Sequence, residues 1–521
     1  MDNILISITP EIALDEFYSY AGGLGILEGD KFYAALSRNL KYYVLTLLYK
    51  QGYVDYSFDQ NDNPIPLPQS QPLPLESLLK PEKEFQILLK SQSVIARPWI
   101  YEKGKSKVVF FEAECPKWVR GFCDRLYIEK SYEEKIYKYI FLAKASAYYI
   151  KNIIGLENVK YIDLQEAYTA ITMLALPEFK NYRFTTHTPG PWGHPVYPSS
   201  ILHEEFGYDS SDEFVTLTKI GLEKSIISYT VSAKHEEITK NVFKDYKDKI
   251  NHITNGVNLD RWVGDHIKDL IKSKGLDKIE KEDIWDAHQK SRNELSIFLK
   301  NYKPDLKIDN KPIVIWLRRM TPYKRPYFIT RFIEENSISK DAIFVIGGKA
   351  HPNDKEGLNY VGYFRKLSKK YPNVIHLHNY DVFNAKMLLS GSDIQTFTPF
   401  SGWEACGTSY MKSLANGVPV IGSRDGGALE VIKHGENGWL FGQDLRELIE
   451  FYTDPKAKEI DEKDFEEFSN YLEKAINIFG SDEYKQMELN ALKTYKLVDI
   501  NNVLDKLYFN EKMDKNVENN Q

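Results

Sequence analysis

Short apolar segments that end in glycine or polar turns alternate with helix-forming stretches over residues 312–432, and this alternation restricts the fold more than any other feature. The apolar runs IVIWL, IFVIGG, DIQTF and PVIGS are each followed by a longer stretch with helical spacing. Strands and helices that alternate in this way are typical of a doubly wound parallel sheet. A similar apolar run, ILISI, lies near the N-terminus and is predicted to be a first buried strand. We therefore predict an α/β fold.

The length of the chain predicts more than one domain. Its 521 residues exceed a single hydrophobic core, so we expect two domains of about 200 to 300 residues each. A charged helical segment ends near Pro304, which gives an N-terminal α/β domain over residues 1–304 and a C-terminal α/β domain over residues 305–480. Residues 481–521 are expected to contain a C-terminal helix that crosses back to the first domain, followed by a polar tail.

The composition excludes several functional classes. The net charge is −6, so the bulk charge attracts neither nucleic acid nor an acidic membrane surface. The 3 cysteines are too few for a disulfide framework or a structural zinc site, and no metal site is predicted. Neither a signal peptide nor an apolar span long enough for a membrane helix is visible, so we expect a reducing, cytoplasmic location.

The stretch from Phe400 to Glu430 contains the strongest candidate for a binding site. Its segment Thr408 to Ala415 is predicted to be a helix that ends at Asn416-Gly417. The polar turn before this helix would direct backbone N–H groups at a ligand, and a phosphate is the first hypothesis. Lys412 lies one helical turn after Thr408, which places its amine on the same face as the anion. The alternative is an ordinary surface lysine after a polar loop.

A cluster of cations, Arg318, Arg319, Lys324 and Arg325, follows the predicted strand IVIWL across a proline turn. Ligands bind at strand ends in open α/β sheets, so this cluster is a candidate for the local anion site that a phosphate requires. Arginine offers a bidentate fork to phosphate oxygens, whereas lysine acts as a compact charge. The alternative is a solvated basic face.

Two loops of the N-terminal half carry further candidates. Gly22, Gly23 and Gly25 would let the backbone approach a ligand closely, and a helix is predicted from Asp30 to Leu36. A plain tight turn is the alternative to a phosphate cradle. His187 follows another predicted strand, where a histidine with a structural role is the alternative to a ligand contact.

These phrases resemble the α-glucan (glycogen, starch and maltodextrin) phosphorylases. EACGTSYMKSLANG is similar to the family segment EASGTxxMKxxxNG and departs from it at Cys406, where the family usually has serine. YSYAGGLGILEGD, RFTTHTPGPWG, INHITNGVNLDRW and LRRMTPYKR are similar to other family phrases in the same order, so the resemblance covers about residues 5–440. YIDLQEAY also resembles a family phrase, but Gln165 and Tyr168 replace asparagine and histidine, and no function is carried over to them.

The resemblance implies that pyridoxal 5′-phosphate is attached covalently to Lys412. Further implied contacts to this cofactor come from Arg318, Thr408, Ser409, Gly23 and Trp262. A buried tryptophan with a structural role is compatible with the contact from Trp262.

The resemblance also implies the residues that bind the substrates. Arg319 and Lys324 would hold the substrate phosphate and, with Lys412, are the expected catalytic residues. The sugar is expected to contact Glu404, Cys406, Gly407, His187, Asn255 and Leu24, with a turn asparagine as the alternative for Asn255. Lys349 is given a supporting role, and His194 is interpreted as a surface residue of a loop.

The implied architecture consists of two Rossmann-like domains in a glycosyltransferase-B arrangement with an interdomain active-site cleft. The implied reaction is reversible phosphorolysis of an α-1,4-glucan to α-glucose 1-phosphate with retention, and the partners are the glucan and orthophosphate. Neither nucleic acid nor a membrane is an expected partner, and a homo-oligomer is left open. The long N-terminal regulatory segment of animal and plant members is not seen, so no allosteric site is expected.

Two alternatives remain open at this stage. A retaining glucan synthase that uses a nucleotide sugar has a related glutamate loop followed by GVPVIGS and GG…E, which this chain also has. Such synthases lack the lysine, and their Lys-Thr-Gly-Gly step near the N-terminus is absent from this sequence. A non-catalytic glucan-binding relative would have no reason to keep Lys412. That lysine therefore distinguishes the three hypotheses.

Overall fold

The computed structural model describes residues 3–509, which form two compact units. Unit 1 comprises residues 3–53, 68–254 and 503–509, and unit 2 comprises residues 54–67 and 255–502. Each unit is built on a large sheet made mainly or entirely of parallel strands, so the predicted α/β class is confirmed. The predicted polar tail lies outside the described residues.

The strands and helices are numbered in chain order. The strands are β1 Ile4–Ile8, β2 Tyr42–Leu47, β3 Gly52–Phe58, β4 Pro64–Gln69, β5 Lys80–Pro81, β6 Phe85–Leu89, β7 Gln92–Lys103, β8 Ser106–Cys115, β9 Val159–Gln165, β10 Tyr182–Thr185, β11 Val196–Pro198, β12 Phe214–Thr216, β13 Ile227–Thr230, β14 Ile250–His252, β15 Ile313–Leu317, β16 Ile343–Gly347, β17 Val374–Leu377, β18 Ile394–Phe397, β19 Val420–Ser423 and β20 Gly438–Phe441. The helices are α1 Gly23–Ser37, α2 Leu75–Leu78, α3 Tyr132–Tyr149, α4 Thr172–Ala175, α5 Ser199–Phe206, α6 Leu217–Lys224, α7 Ala233–Val242, α8 Leu259–Trp262, α9 Asp265–Lys274, α10 Lys281–Lys300, α11 Pro326–Glu335, α12 Lys355–Lys370, α13 Val382–Gly391, α14 Ser409–Ala415, α15 Ala428–Val431, α16 Pro455–Ile478, α17 Asp482–Leu492 and α18 Ile500–Tyr508.

The sheet of unit 1 has the strand order β14-β13-β10-β9-β1-β2-β8-β7-β5, with β6 paired to β7. The strands from β14 to β8 run parallel, and the β8-β7 edge continues with antiparallel pairs. Because parallel strands place their carboxyl ends at one edge, the residues that follow β9 and β10 lie side by side, with Gln165 opposite Thr185. This register positions the histidine loop described below.

The sheet of unit 2 is fully parallel, with the order β17-β16-β15-β18-β19-β20. Strand β15 is buried along its whole length, as its continuous apolar run IVIWL predicts for a central strand covered by helices on both faces. The neighbouring strands β15 and β18 end at the segments that contain Arg318 and Glu404. The sheet therefore brings the predicted cation cluster next to the glutamate loop.

Helix α10 belongs to unit 2, so the predicted boundary near residue 304 falls inside that unit. Two buried side chains of α10, His288 and Arg292, bond the carboxylate of Asp393, which precedes β18. Asp393 itself is fully buried and also accepts from the backbone N–H of Ile313. This buried ionic cluster attaches α10 to the second sheet, a long-range pairing that charge and helical spacing alone do not reveal.

One local expectation was wrong. Helix α1 begins at Gly23 and not near Asp30, so the predicted glycine loop forms the start of a helix. Residues 60–77 contain strand β4 and the short helix α2. Within the described residues, no helix is both long and apolar enough to cross a membrane.

Candidate active site

The core of the candidate site in unit 2 is an ion cluster at the ends of β15 and β18. The guanidinium of Arg318 donates to Glu404 Oε2 at 2.8 Å, and the amine of Lys324 lies 3.4 Å from the same oxygen. The three side chains are largely buried, with exposed fractions of 6%, 13% and 13% for Arg318, Lys324 and Glu404. The structure thus brings together two predicted phosphate ligands and the predicted sugar ligand.

The cluster controls the charge of its members. Burial raises the pKa of Glu404, but the charges of Lys324 and Arg318 outweigh it and lower the pKa to about 2. Burial lowers the pKa of Lys324 to about 7, opposed by Glu404 and reinforced by Arg318 and Arg319. Glu404 is therefore an anion over the whole physiological range, whereas the charge of Lys324 depends on what else enters the site.

The loop that carries Glu404 is held by Asp425. Its two carboxylate oxygens accept from the backbone N–H groups of Gly402 at 2.7 Å and Glu404 at 2.8 Å. The backbone N–H of Gly427 in turn donates to the carbonyl of Cys406. Gly426, between these contacts, has φ +53°, and a Cβ there would lie 2.4 Å from the carbonyl oxygen of Cys406. Glycine is required at this position because both the dihedral and the close approach exclude a side chain.

Lys412 lies on α14 and is only 6% exposed. Its amine is 3.9 Å from the ring centroid of Trp262, a cation–π contact with the end of α8. Asn416 joins the two helices: its amide donates to the carbonyls of Lys412 at 2.8 Å and Trp262 at 3.1 Å and accepts from the N–H of Gly264 at 2.7 Å. The interpretation of Lys412 as an ordinary surface lysine is therefore wrong.

Several polar atoms in and near these segments are buried and lack a hydrogen-bond partner within residues 3–509. They include Nη1 of Arg318, Oγ1 of Thr321 and the Oγ atoms of Ser409 and Ser413. An unpaired buried donor costs about 1 to 3 kcal/mol, so such atoms are expected where a ligand completes the bonding. Arg318 and Ser409 are both predicted cofactor contacts.

Other predicted ligands of unit 2 occupy the same region of the chain. The Sγ of Cys406 accepts from the backbone of Asn255 and lies 3.8 Å from the hydroxyl of Tyr410. Burial raises the pKa of this thiol to about 12, so Cys406 is a neutral packing residue and not a nucleophile. Gly407, next in the chain, has φ +71°, and a Cβ would meet the ring of Phe397. Thr408 is the residue that precedes α14.

The basic segment after β15 divides into two roles. Arg319 is partly exposed, and its side chain bonds Tyr323. Arg325, in contrast, is fully buried, donates to Asp464 at 2.8 Å and to the carbonyl of Thr398 at 2.8 Å, and is fixed structurally. Its expected membership of the anion cluster was therefore wrong. Lys349 is half-buried, and desolvation lowers the pKa of its amine.

The remaining predicted ligands belong to unit 1. Gly23 and Leu24 form the first turn of α1, and Glu11 Oε2 accepts from the backbone N–H of Gly22 at 3.1 Å. His187 follows β10 and is partly buried. His194 was predicted to be a surface residue, but it is packed against the fold. Its Nδ1 lies 2.9 Å from Thr218 Oγ1, and its ring packs against Phe243.

Sequence reasoning missed Glu166, the residue after β9. Its carboxylate accepts from the N–H of His187 at 3.2 Å and from the hydroxyl of Thr188 at 2.9 Å, so it holds the histidine loop. Burial raises the pKa of Glu166 to about 7, although the bonds from Thr188, Ala167 and His187 oppose the shift. Glu166 also has φ +68°, an unusual backbone for a residue with a side chain. The available signal was the glutamate retained in the phrase LQEAY.

Asn416 and Asp425 were also not predicted to shape the site. Both lie in the Phe400–Glu430 stretch, where an asparagine before glycine and an aspartate before a glycine pair are usually turn residues. Their long-range bonds to Gly264, Gly402 and Glu404 are visible only in the folded chain.

A family model described as carbohydrate phosphorylase matches residues 266–512. This match lies in the C-terminal half of the chain. Among individual proteins the chain is similar to the maltodextrin phosphorylase of Thermococcus litoralis, with 25% identity over 88% of this chain and 63% of that protein. The glycogen phosphorylase of Aquifex aeolicus is 24% identical over 84% of this chain and 76% of its own length. An uncharacterized protein of Methanocaldococcus jannaschii is 25% identical over 82% of this chain and 86% of its own length.

Proposed function

We propose that this chain is an α-glucan phosphorylase that catalyses reversible phosphorolysis of an α-1,4-glucan to α-glucose 1-phosphate with retention. The observation that carries the proposal is the buried Lys412, on the helix that directly follows the loop pairing Glu404 with Arg318 and Lys324. The names of the Thermococcus and Aquifex relatives support the same activity. The glycosyltransferase-B arrangement with an interdomain cleft is part of the proposal and is drawn from the family.

The residues of unit 2 fit pyridoxal 5′-phosphate. Lys412 supplies a buried amine for the covalent bond, and the ring of Trp262 lies against that amine. Nη1 of Arg318 and Oγ of Ser409, both buried and without a partner in the described chain, are suited to oxygen atoms of the cofactor phosphate. When bound, the cofactor supplies a phosphate group that exchanges a proton with the substrate phosphate.

The cations of the cluster make the approach of a second phosphate possible. Two phosphates in one site repel each other, so fixed positive charge must compensate for them. Arg319 is partly exposed and would bind orthophosphate through its fork, and Lys324 would add a compact charge. Orthophosphate would raise the pKa of Lys324 above its value of about 7 in the ligand-free protein, so binding favours the ammonium form.

Glu404 would bind hydroxyl groups of the glucose unit. Its pKa of about 2 keeps it ionised, and a carboxylate is the stronger acceptor for sugar hydroxyls. Asp425 holds the backbone of Glu404, so the carboxylate is oriented before the sugar arrives. Since phosphate itself supplies the acid and base steps, the pair of catalytic carboxylates used by glycosidases is not required.

Product analysis tests this proposal against a nucleotide-sugar synthase. The purified full chain is incubated with maltodextrin and orthophosphate, and separately with maltodextrin and a series of nucleoside diphosphate glucoses. We expect α-glucose 1-phosphate in the first reaction and no nucleoside diphosphate in the second. Release of a nucleoside diphosphate with elongation of the glucan, and no response to orthophosphate, would refute the phosphorylase function. Absence of turnover in both reactions, with cofactor bound, would favour a non-catalytic glucan-binding protein.

A further inference from the structure

Gln165 lies beside the histidine loop of unit 1 and departs from the asparagine of the resembling family phrase. It is the last residue of β9, is 2% exposed, and its Oε1 lies 2.8 Å from Nε2 of His187. Its amide nitrogen donates to Oγ of Ser7 on the neighbouring strand β1 at 3.2 Å. The amide nitrogen of Gln165 therefore bonds Ser7, and its amide oxygen faces the imidazole of His187.

The direction of this amide determines which ring nitrogen of His187 carries the proton. A carbonyl oxygen only accepts, so the Nε2 atom that it contacts must be protonated. In a neutral imidazole the other nitrogen, Nδ1, then has a lone pair and acts as an acceptor. Within residues 3–509, Nδ1 of His187 has no hydrogen-bond partner.

His187 is held as a neutral group in a fixed position. Burial lowers the pKa of its imidazole well below the ordinary value, and the charge of Lys31 and the nearby His235 act in the same direction. The backbone N–H of His187 donates to Glu166 Oε2, which fixes the loop independently of the ring. The ring contact with Gln165 is therefore the interaction that selects the tautomer.

We propose that Gln165 is a positioning residue that keeps His187 in the Nε2–H tautomer and so presents Nδ1 as an acceptor for a hydroxyl group of the sugar substrate. The part that concerns the sugar rests on the proposed function. The opposite tautomer would present an N–H group at the same place, which would favour a different partner atom. Gln165 would thus act on specificity through His187 without contacting the substrate itself.

The tautomer is measured first, in the resting full-length protein without substrate. Histidine is labelled selectively with ¹⁵N, and the signals of His187 among the 11 histidines are identified by their loss in His187→Gln. We expect a protonated Nε2 and an unprotonated Nδ1 in the wild type. A protonated Nδ1 would overturn the proposal.

Three variants separate the role of Gln165 from packing. Gln165→Glu retains only acceptor oxygens and should keep a proton on Nε2, whereas Gln165→Met removes the acceptor at similar volume and should give a mixture of tautomers. Tyr168→Phe is the matched control, because Tyr168 lies in the same segment and contacts Tyr139 and Lys135 through its ring. A tautomer in Gln165→Met unchanged from the wild type would overturn the assignment to Gln165.

Kinetics then test the contact with the sugar. Loss of one neutral hydrogen bond corresponds to about a fivefold change, so Gln165→Met should lower kcat/KM for the glucan by about fivefold with cofactor content unchanged. An altered tautomer with wild-type kcat/KM would overturn the contact with the sugar. If the wild-type protein makes no glucose 1-phosphate, the proposed function fails, and the tautomer measurement still decides the role of Gln165. If Gln165→Met does not fold, Gln165→Glu still tests the assignment, because loss of the proton from Nε2 of His187 in that variant would overturn it.

Discussion

The charge of Lys324 depends on its surroundings. Its pKa of about 7 reflects burial beside Arg318 and Arg319, which the charge of Glu404 offsets only in part. The folded-state pKa lies below the unfolded value, so Lys324 destabilises the fold progressively as the pH falls from about 10.5 to about 7, and the cost is complete below that pH. An anion bound at the cluster reverses this preference, because it stabilises the ammonium form.

We therefore predict a pH-dependent affinity for sulfate, a dianion that mimics orthophosphate without titrating near neutrality. The inhibition constant of sulfate should be lowest below pH 7 and should rise by up to about tenfold per pH unit above it, as Lys324 loses its proton. Lys324→Arg keeps its charge at all these pH values and is the matched control. A wild-type inhibition constant that is as independent of pH as that of the arginine variant would contradict this account of Lys324.

Lys412 permits a direct test of the cofactor site. Lys412→Ala should abolish the visible absorbance of bound pyridoxal phosphate and phosphorolysis while the protein stays folded, since the lysine amine is the expected covalent attachment. Lys386→Ala is the control, because Lys386 is a partly exposed lysine paired with Asp265. Cofactor content and activity are measured together with the circular dichroism spectrum. Phosphorolysis by a cofactor-free Lys412→Ala protein would refute the assignment.

The residue types of the site could be predicted, but their pairing could not. The cations after β15 and the glutamate loop are visible as motifs, yet Arg318 and Glu404 are 86 residues apart and meet because β15 and β18 are neighbours. Arg325 shows more clearly that side-chain partners cannot be predicted from the sequence. It carries the same charge as Arg318 and stands in the same phrase, but only the fold reveals Asp461 and Asp464 as its partners.

At the scale of elements, the periodic segments were predictable and the irregular connections were not. Strands β15, β16, β18 and β19 and helix α14 agree with the predicted segments, because apolar runs and turn residues mark them locally. The predicted start of helix α1 was too late, because glycine has a low helix propensity and several glycines stand at the beginning of this helix. Tertiary contacts fix the start of this helix. They include the hydrogen bonds that the N–H groups of Ala21 and Gly22 donate to the carboxylate of Glu11.

The loop between β19 and α15 gives a prediction at this scale. Gly426→Ala should destabilise the protein by more than about 2 kcal/mol and reduce activity, because the new Cβ would lie 2.4 Å from the carbonyl oxygen of Cys406 and displace the segment that holds Glu404. Gly435→Ala is the matched control: it also has positive φ, +80°, but no atom lies within 4 Å of its Cβ position. That variant should lose only about 1 kcal/mol.

Urea unfolding and phosphorolysis rates of the two alanine variants measure the difference. The dihedral cost is common to both positions, so the excess in Gly426→Ala isolates the close approach to Cys406. Equal unfolding midpoints with equal activities would show that the 402–406 loop does not depend on Gly426.

For the whole molecule, buried ionic networks fix parts of the chain that sequence patterns leave unassigned. In unit 1, Asp163 pairs with Arg183 at 2.6 Å, Arg183 stacks on the ring of Tyr508, and the hydroxyl of Tyr508 donates to Asp163. In unit 2, Asp393 holds α10 through His288 and Arg292. Such networks join residues far apart in sequence, so the composition of each segment gives no indication of its unit.

The central claim concerns the whole molecule: the cation cluster holds orthophosphate as a substrate for phosphorolysis. The most direct test measures glucose 1-phosphate formation against orthophosphate concentration in the wild type, Arg319→Ala and Arg319→Lys. We predict saturable dependence on orthophosphate in the wild type, a raised KM and lowered kcat in Arg319→Ala with cofactor content unchanged, and partial recovery in Arg319→Lys, which keeps the charge but loses the fork. A phosphate dependence in Arg319→Ala equal to that of the wild type would contradict the role of Arg319, and a wild-type rate independent of orthophosphate would contradict the phosphorylase function itself.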